Sequence, residues 1–195
     1  MNIVESITAA DAWMNASLFS MRSDIATTIF LPITWLGEWT TVMIFVLIVA
    51  AFLLRSRQRR LILALSISTF GSLGVTYLTK LLIERPRPLD AILLENSSSF
   101  PSAHATIAVA FYGFLAYLLI KKISAQGGPA PSRKNKLNRS LIIFSASVLI
   151  LAIGFSRLYL GVHYLSDVLA GYLVGLAWLI VGITLVARKQ SSPAI

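Results

Sequence analysis

Long apolar stretches separated by short polar segments run through the chain from residue 39 onward. A transmembrane helix needs about 20 apolar residues to cross a hydrocarbon core of roughly 30 Å. Five stretches approach or reach this length and are too continuously apolar for surface helices: 39–54, 61–79, 102–120, 140–155 and 168–187. The first is short, so we expect it to need the apolar residues before it or a locally thin bilayer. The pattern predicts an all-α, polytopic membrane helix bundle of about five transmembrane helices.

The first 38 residues have a different pattern, with several charged residues and with Pro32, which we expect to interrupt any helix. Their apolar residues recur at roughly helical spacing, and Trp13 and Trp35 are typical of a membrane interface. No basic segment precedes an apolar one, as it would in a signal peptide. We therefore expect short interfacial helices, with a poorly ordered tail as the alternative. The predicted organisation is an interfacial amphipathic segment at 1–38, a transmembrane domain at 39–189 and a C-terminal cytoplasmic tail at 190–195.

The distribution of charge predicts how the chain is oriented. Most of the 17 lysines and arginines lie in three segments: four follow the first apolar stretch, six follow the third and two follow the fifth. These three segments share one side of the membrane if the chain crosses it once at each stretch. All 8 acidic residues lie on the other side. Because basic loops stay in the cytoplasm, we expect the N-terminus outside and the C-terminus inside. Glycines and prolines in 125–136 predict a mobile cytoplasmic linker.

Composition removes several function classes. Hydrophobic residues make up 56% of the chain and charged residues only 13%, against about 25% charged residues in a typical soluble domain. This excludes a disordered chain and disfavours a water-soluble one. The net charge of +9 does not indicate a nucleic-acid partner, because long apolar runs separate the basic residues. The absence of cysteine excludes disulfides, thiolate nucleophiles and cysteine-based zinc sites.

Both histidines of the chain lie in polar segments at the outer ends of the predicted spans. His163 and Asp167 are four residues apart and so share one face of a helix. A carboxylate in that position accepts the Nδ1 proton of the imidazole and leaves the Nε2 lone pair free for nucleophilic attack. The alternative is a structural hydrogen bond, which is the commoner role of such a pair taken alone.

The other polar segments have the chemistry of a phosphate site. Pro101-Ser102-Ala103-His104 reads as a helix start, where Ser102 is the cap and small residues let an anion approach free N–H groups. Three outer cations suit phosphate oxygens: Lys80, Arg87 and Arg157. The alternatives are an ordinary cap with a surface histidine, and cations that reach lipid headgroups. The presence of all these elements on one membrane face favours a phosphate site.

In this order the segments resemble the motifs of the type 2 phosphatidic acid phosphatase superfamily: Lys, six residues, Arg-Pro; Pro-Ser-x-His; and Ser-Arg, five residues, His, three residues, Asp. The resemblance implies that His163 attacks phosphorus and forms a phosphohistidine. It implies that His104 protonates the leaving oxygen and then activates water, while Asp167 orients His163. It also implies a metal-independent reaction without a cofactor. The phosphate oxygens would be held by Lys80, Arg87, Arg157 and the backbone at Ser102 and Ala103.

The chain departs from the family pattern in two respects. Ala103 stands where the second motif usually has glycine, so a methyl group lies close to the expected anion and we expect reduced rather than abolished activity. Membrane members commonly have six spans, and we expect the interfacial segment to stand in this chain where those members have the first span.

The expected function is an integral-membrane lipid phosphatase of the bacterial cytoplasmic membrane, with the membrane and a lipid phosphate as its partners and with a site facing outward. Undecaprenyl diphosphate is the first candidate substrate, followed by phosphatidylglycerophosphate and phosphatidic acid. Two alternatives stay open: a lipid phosphotransferase, and a non-enzymatic membrane protein that binds anionic lipid. A transporter is disfavoured because the charged candidates lie at one end of the spans and not at the bilayer midplane. The sequence gives no indication of oligomeric state.

Overall fold

The computed structural model describes residues 2–125 and 132–187. The described residues form helices and their connections, and the predicted all-α membrane bundle is confirmed. The predicted tail at 190–195 and half of the predicted linker, residues 126–131, lie outside the described residues. The helices in chain order are α1 (Ile3–Ser20), α2 (Asp24–Trp35), α3 (Trp39–Arg55), α4 (Arg59–Ile83), α5 (Ala103–Ile107), a π-helical turn (Ala108–Tyr112), α6 (Gly113–Ala125), α7 (Arg133–Tyr159) and α8 (Leu165–Ala187).

Four helical segments are long and apolar enough to cross a membrane, namely α4, the continuous run Ala103–Ala125, α7 and α8. Helices α2 and α3 meet at a bend of 45° and together meet the same criterion as a fifth crossing. The short apolar stretch at 39–54 is therefore preceded, across the bend, by a second apolar helix. The predicted boundary at residue 38 lies at this bend, and the interfacial position of residues 1–38 stays a prediction.

Two local predictions are wrong. Pro32 does not interrupt the helix, because it lies inside α2. The proline loses one backbone hydrogen bond, but α2 packs along α7 and the ring of Phe30 lies against Phe155 and Tyr159, which holds the helix in place. The second error concerns the linker, since α7 begins at Arg133 with Ser132 as its cap. Charged residues there belong to a helical turn and not to a loop, because the helix extends past its apolar part.

Glycine positions on α8 bring the helices of the site together. A Cβ atom at Gly171 would lie 2.6 Å from the carbonyl oxygen of Ser102, and one at Gly175 would clash with that of Thr106. Small residues at this spacing let two membrane helices approach backbone to backbone. The close approach places the start of α8 beside the start of α5, where the N–H of Ser102 donates to the carbonyl of Asp167 at 3.0 Å.

The N-terminal helices pack on one end of the bundle. Met14 and Leu18 of α1 join an apolar cluster with Leu158 of α7 and Val168 of α8. The guanidinium of Arg22, which follows α1, lies 3.2 Å from the carboxylate of Asp90 in the loop after α4. These contacts fix α1 against the same end of the bundle that carries the histidines.

Candidate active site

The three sequence motifs converge on one cavity at one end of the bundle. The cavity has a volume of about 210 Å³, and its polar lining includes both histidines, two motif cations and two carboxylates: His163, His104, Lys80, Arg87, Glu38 and Glu95. It continues between α3, α4 and α5 past Leu73, which lies seven residues before Lys80 and so about 10 Å deeper along α4. The cavity therefore has a polar end at the histidines and an apolar end at Leu73.

His163 and Asp167 face each other as their spacing predicts. Nδ1 of His163 lies 3.4 Å from Oδ2 of Asp167, and both side chains are almost completely buried. This distance is longer than a well-formed hydrogen bond, and Nδ1 has no other hydrogen-bond partner among the residues that the structure describes. Catalytic hydrogen bonds are often long before substrate binds. The same Oδ2 accepts the N–H of Tyr164 at 2.9 Å, which fixes the carboxylate beside the ring.

Arg87 determines the tautomer of His163. Its Nη1 lies 3.3 Å from Nε2 of His163 and donates to the carbonyl of Val162 at 2.7 Å. A guanidinium has only donors, so Nε2 is the unprotonated nitrogen and the proton is on Nδ1, towards Asp167. Burial lowers the pKa of His163 to about 3, and the charges of Arg157 and Arg87 act in the same direction against the hydrogen bond to Asp167. The imidazole is therefore neutral at physiological pH and has a free lone pair at the cavity.

His104 reaches the same cavity from the first turn of α5. Its Nε2 lies 3.2 Å from a carboxylate oxygen of Glu38, the residue that precedes α3. The backbone at Gly37 packs against the imidazole, since a Cβ there would lie 3.2 Å from Cδ2 of His104. The bend between α2 and α3 therefore places both a wall and a carboxylate against this ring.

Glu95 joins two of the three motif cations. Its carboxylate lies 2.7 Å from Nη2 of Arg87, and its other oxygen pairs with Nη2 of Arg157. Arg157 is completely buried and also donates to the hydroxyl of Thr34 at 2.7 Å. Lys80 instead donates to the carbonyl of Ser98. A carboxylate thus lies on the guanidinium groups that would receive the phosphate oxygens.

Ser102 and Ala103 have different positions. Ser102 is completely buried and caps α5 by accepting from the N–H of Ala105, and its own N–H donates to the carbonyl of Asp167. Ala103 lines the cavity. The amides of Ala103 and His104 belong to the first helical turn, where N–H groups have no intrahelical acceptor. Ala103 is therefore the member of this pair that faces the expected phosphate.

Four charged residues near the site have no place in the sequence motifs: Asp11, Glu38, Arg85 and Glu95. Arg85 lies between the carboxylates of Asp11 and Asp167. Burial opposes its charge, but the hydrogen bonds and charges of these carboxylates raise the pKa of Arg85 above its ordinary value. The sequence feature that could have identified Arg85 is its position on the acid-rich face, predicted to be the outer one, where a cation is unusual. The three acidic residues gave no signal, because their partners are distant in sequence.

A family model of the PAP2 superfamily matches residues 59–191, which is more than half of the chain and includes all three motifs. The chain belongs to the PAP2 superfamily. Phosphatidylglycerophosphatase B of Bacillus subtilis (strain 168) is 32% identical over 174 residues, which cover 88% of this chain and 80% of that relative. This PAP2 protein is a multi-pass membrane protein and a lipid phosphatase, as the resemblance implied.

Two solved structures share the fold of this PAP2 phosphatase. The crystal structure of a transmembrane PAP2-type phosphatidylglycerolphosphate phosphatase from Bacillus subtilis matches with a TM-score of 0.84 and 24% identity, over 96% of this chain and 90% of that one. Aquifex aeolicus LpxE matches with a TM-score of 0.58 and 20% identity, over 89% of this chain and 94% of that one. At these identities the matches establish the fold and leave the substrate to other arguments.

Proposed function

We propose that this PAP2 phosphatase removes a phosphoryl group from a lipid at the outer face of the cytoplasmic membrane, through a phosphohistidine at His163. The observation that carries the proposal is the position of the His163 imidazole, held between Asp167 and Arg87 on the wall of the cavity that also contains His104. In the first step Nε2 of His163 attacks phosphorus, the P–N bond forms, and the bond from phosphorus to the lipid oxygen breaks. His104 gives a proton to that oxygen.

The second step releases phosphate. His104 has lost its proton and now takes one from a water molecule, whose oxygen attacks phosphorus while the P–N bond breaks and returns the electron pair to Nε2. Asp167 stabilises the positive charge that the phosphorylated ring carries. Arg87, Arg157 and Lys80 and the amide of Ala103 hold the equatorial oxygens, where negative charge accumulates. Ser102 supports the site as the cap of α5.

The phosphoryl group displaces Glu95 when it binds. The carboxylate of Glu95 already lies on Arg87 and Arg157, so the two anions compete for the same donors. We expect Glu95→Gln to lower KM for a lipid phosphate by about threefold or more, which corresponds to roughly 0.7 kcal/mol. The matched control is Glu5→Gln, an exposed glutamate in the first turn of α1, away from the cavity. Steady-state kinetics check this, and an unchanged or raised KM for Glu95→Gln would show that Glu95 does not compete with phosphate.

The shape of the site favours a lipid diphosphate. A second, more open cavity of about 570 Å³ adjoins the first and shares Tyr77, Lys80, Arg87, Glu95 and Ser97 with it. This space accommodates a second phosphate beside the reacting one, within reach of Lys80. Undecaprenyl diphosphate therefore remains our first candidate substrate. Phosphatidylglycerophosphate is the second candidate, because of the activity named for the relative from Bacillus subtilis.

Phosphate release by the purified protein tests the function. We expect turnover of a lipid diphosphate and of lipid phosphomonoesters, without change on addition of EDTA, and inhibition by orthovanadate. Trigonal-bipyramidal vanadate resembles the transition state, and such analogues bind about 10²–10⁸-fold more tightly than substrates. A requirement for added Mg²⁺ with every substrate would contradict the assignment of charge stabilisation to the cations. Transfer of phosphate to an added alcohol in place of water would indicate a phosphotransferase.

The site is proposed to face the outside of the bacterial cytoplasmic membrane. The basic loops place the opposite side in the cytoplasm, and the chain has no native cysteine to interfere with labelling. We expect an impermeant maleimide to label Asn96→Cys, beside the cavity, in intact spheroplasts. Lys134→Cys, at the start of α7, should react only after lysis. The reverse labelling pattern would place the chemistry in the cytoplasm and remove recycling of an envelope lipid carrier from consideration.

A further inference from the structure

Arg85 connects the N-terminal helix to the His163–Asp167 pair. Its Nη1 lies 2.5 Å from Oδ1 of Asp167, and its Nη2 lies 2.7 Å from Oδ2 of Asp11 in α1. Arg85 belongs to none of the three motifs, although it lies two residues before Arg87. Its guanidinium carbon lies 4.3 Å from the ring centroid of Tyr164, which supports the group from the side.

Asp11 is built into the fold as a buried acceptor. Only 3% of its surface is exposed. Oδ1 accepts the N–H of Ser166 at 2.8 Å, and Oδ2 accepts the hydroxyl of Ser166 at 2.6 Å. Ser166 precedes Asp167 directly, so Asp11 fixes the backbone of this turn as well as Arg85.

The two oxygens of Asp167 consequently have different tasks. Oδ1 is held by Arg85, and Oδ2 faces Nδ1 of His163. We propose that Asp11 and Arg85 are positioning residues for the nucleophile, in which Asp11 fixes Arg85 and Arg85 fixes the carboxylate of Asp167 against His163. The proposal rests on the proposed function, since it requires that His163 be the nucleophile.

Charge gives a second reason for this arrangement. Two carboxylates and one guanidinium carry a net charge of −1 next to a neutral imidazole. When Nε2 of His163 bonds to phosphorus and Nδ1 keeps its proton, the ring becomes positive and the four groups together become neutral. A fixed, buried negative charge stabilises that positive charge without reorganisation. Loss of either Asp11 or Arg85 disturbs the group from which this stabilisation comes.

Asp11→Asn tests the proposal, because asparagine keeps the shape and removes the charge. With a short-chain phosphatidic acid as substrate, we expect kcat to fall about tenfold or more and KM to stay within about threefold, since the effect is on the reacting state. The matched control is Asp24→Asn, an exposed aspartate in the first turn of α2, which should stay within about twofold of wild type. Wild-type kcat for Asp11→Asn would overturn the proposal.

A double-mutant cycle separates positioning from a merely structural role. If Asp11 acts through Asp167, then Asp11→Asn should cost less than about twofold in kcat in the Asp167→Asn background. Equal losses in both backgrounds would show that Asp11 only anchors α1, and would overturn the proposal. Should Asp11→Asn fail to fold, Arg85→Lys provides the test, because lysine keeps the charge but changes the geometry of the contacts. A single ammonium lacks the planar fork whose two Nη atoms each meet one carboxylate, so Arg85→Lys should lose kcat to a similar extent, and wild-type kcat would overturn the proposal. Wild-type activity of Asp167→Asn alone would refute the proposed function instead.

Discussion

His163→Ala should abolish turnover, with a loss on the order of 10⁶-fold in kcat, comparable with the loss of a nucleophile in other covalent enzymes. The reason is that the P–N bond of the intermediate forms at Nε2 of His163, the nitrogen that Arg87 and Asp167 direct to the cavity. The measurement is phosphate release by detergent-purified protein. A midpoint temperature of thermal unfolding equal to that of the wild type would show that the variant is folded.

Asp167→Asn is the informative comparison for His163→Ala. An amide at this position no longer holds the proton on Nδ1 by charge, so the wrong tautomer competes, and we expect a loss of about 10⁴-fold, as for the equivalent change in a serine protease. A small residual activity should therefore remain in Asp167→Asn and be absent from His163→Ala. Near-wild-type phosphate release from folded His163→Ala would exclude the phosphohistidine mechanism.

His104→Ala should also have a large effect, a loss of about 10²–10⁴-fold with lipid substrates, the range for general acid–base catalysis. Because His104 is assigned to both steps, the size of its contribution should depend on the leaving group. A lipid alkoxide needs the proton, whereas 4-nitrophenolate leaves without one. With 4-nitrophenyl phosphate we therefore expect His104→Ala to be impaired only in the second step. An equal loss with both substrates in single-turnover experiments would argue that His104 only shapes the cavity.

Much of the fold follows from the apolar pattern. The stretch at 61–79 lies inside α4, and that at 168–187 inside α8, because about 20 consecutive apolar residues have no other stable place than a membrane or a large core. Helix ends were less predictable. Helix α7 begins at Arg133, before the predicted stretch at 140–155, since lysine and arginine are good helix formers and the backbone hydrogen bonds continue beyond the apolar residues.

The motif residues of the site were also predictable, because their spacing along helix ends brings them to one face. Their charged partners were not. Glu95 reaches Arg157 from a position 62 residues away, and Asp11 reaches Arg85 across 74 residues. Such pairs depend on how helices and loops pack, and neither periodicity nor local spacing encodes them. Asp11 illustrates this best, because a single acidic residue in an amphipathic helix predicts a solvent-exposed side chain.

The covalent intermediate is the central claim, and His104→Ala with 4-nitrophenyl phosphate tests it most directly. Rapid mixing should give a burst of one equivalent of 4-nitrophenol per site, followed by very slow turnover, because the phosphoenzyme forms but its hydrolysis lacks a base. Mass spectrometry of the quenched protein at alkaline pH should then place the phosphate on the peptide that contains His163, and the His104→Ala, His163→Ala double variant should show neither burst nor label. A linear time course without a burst, or a phosphate on any residue other than His163, would contradict the mechanism.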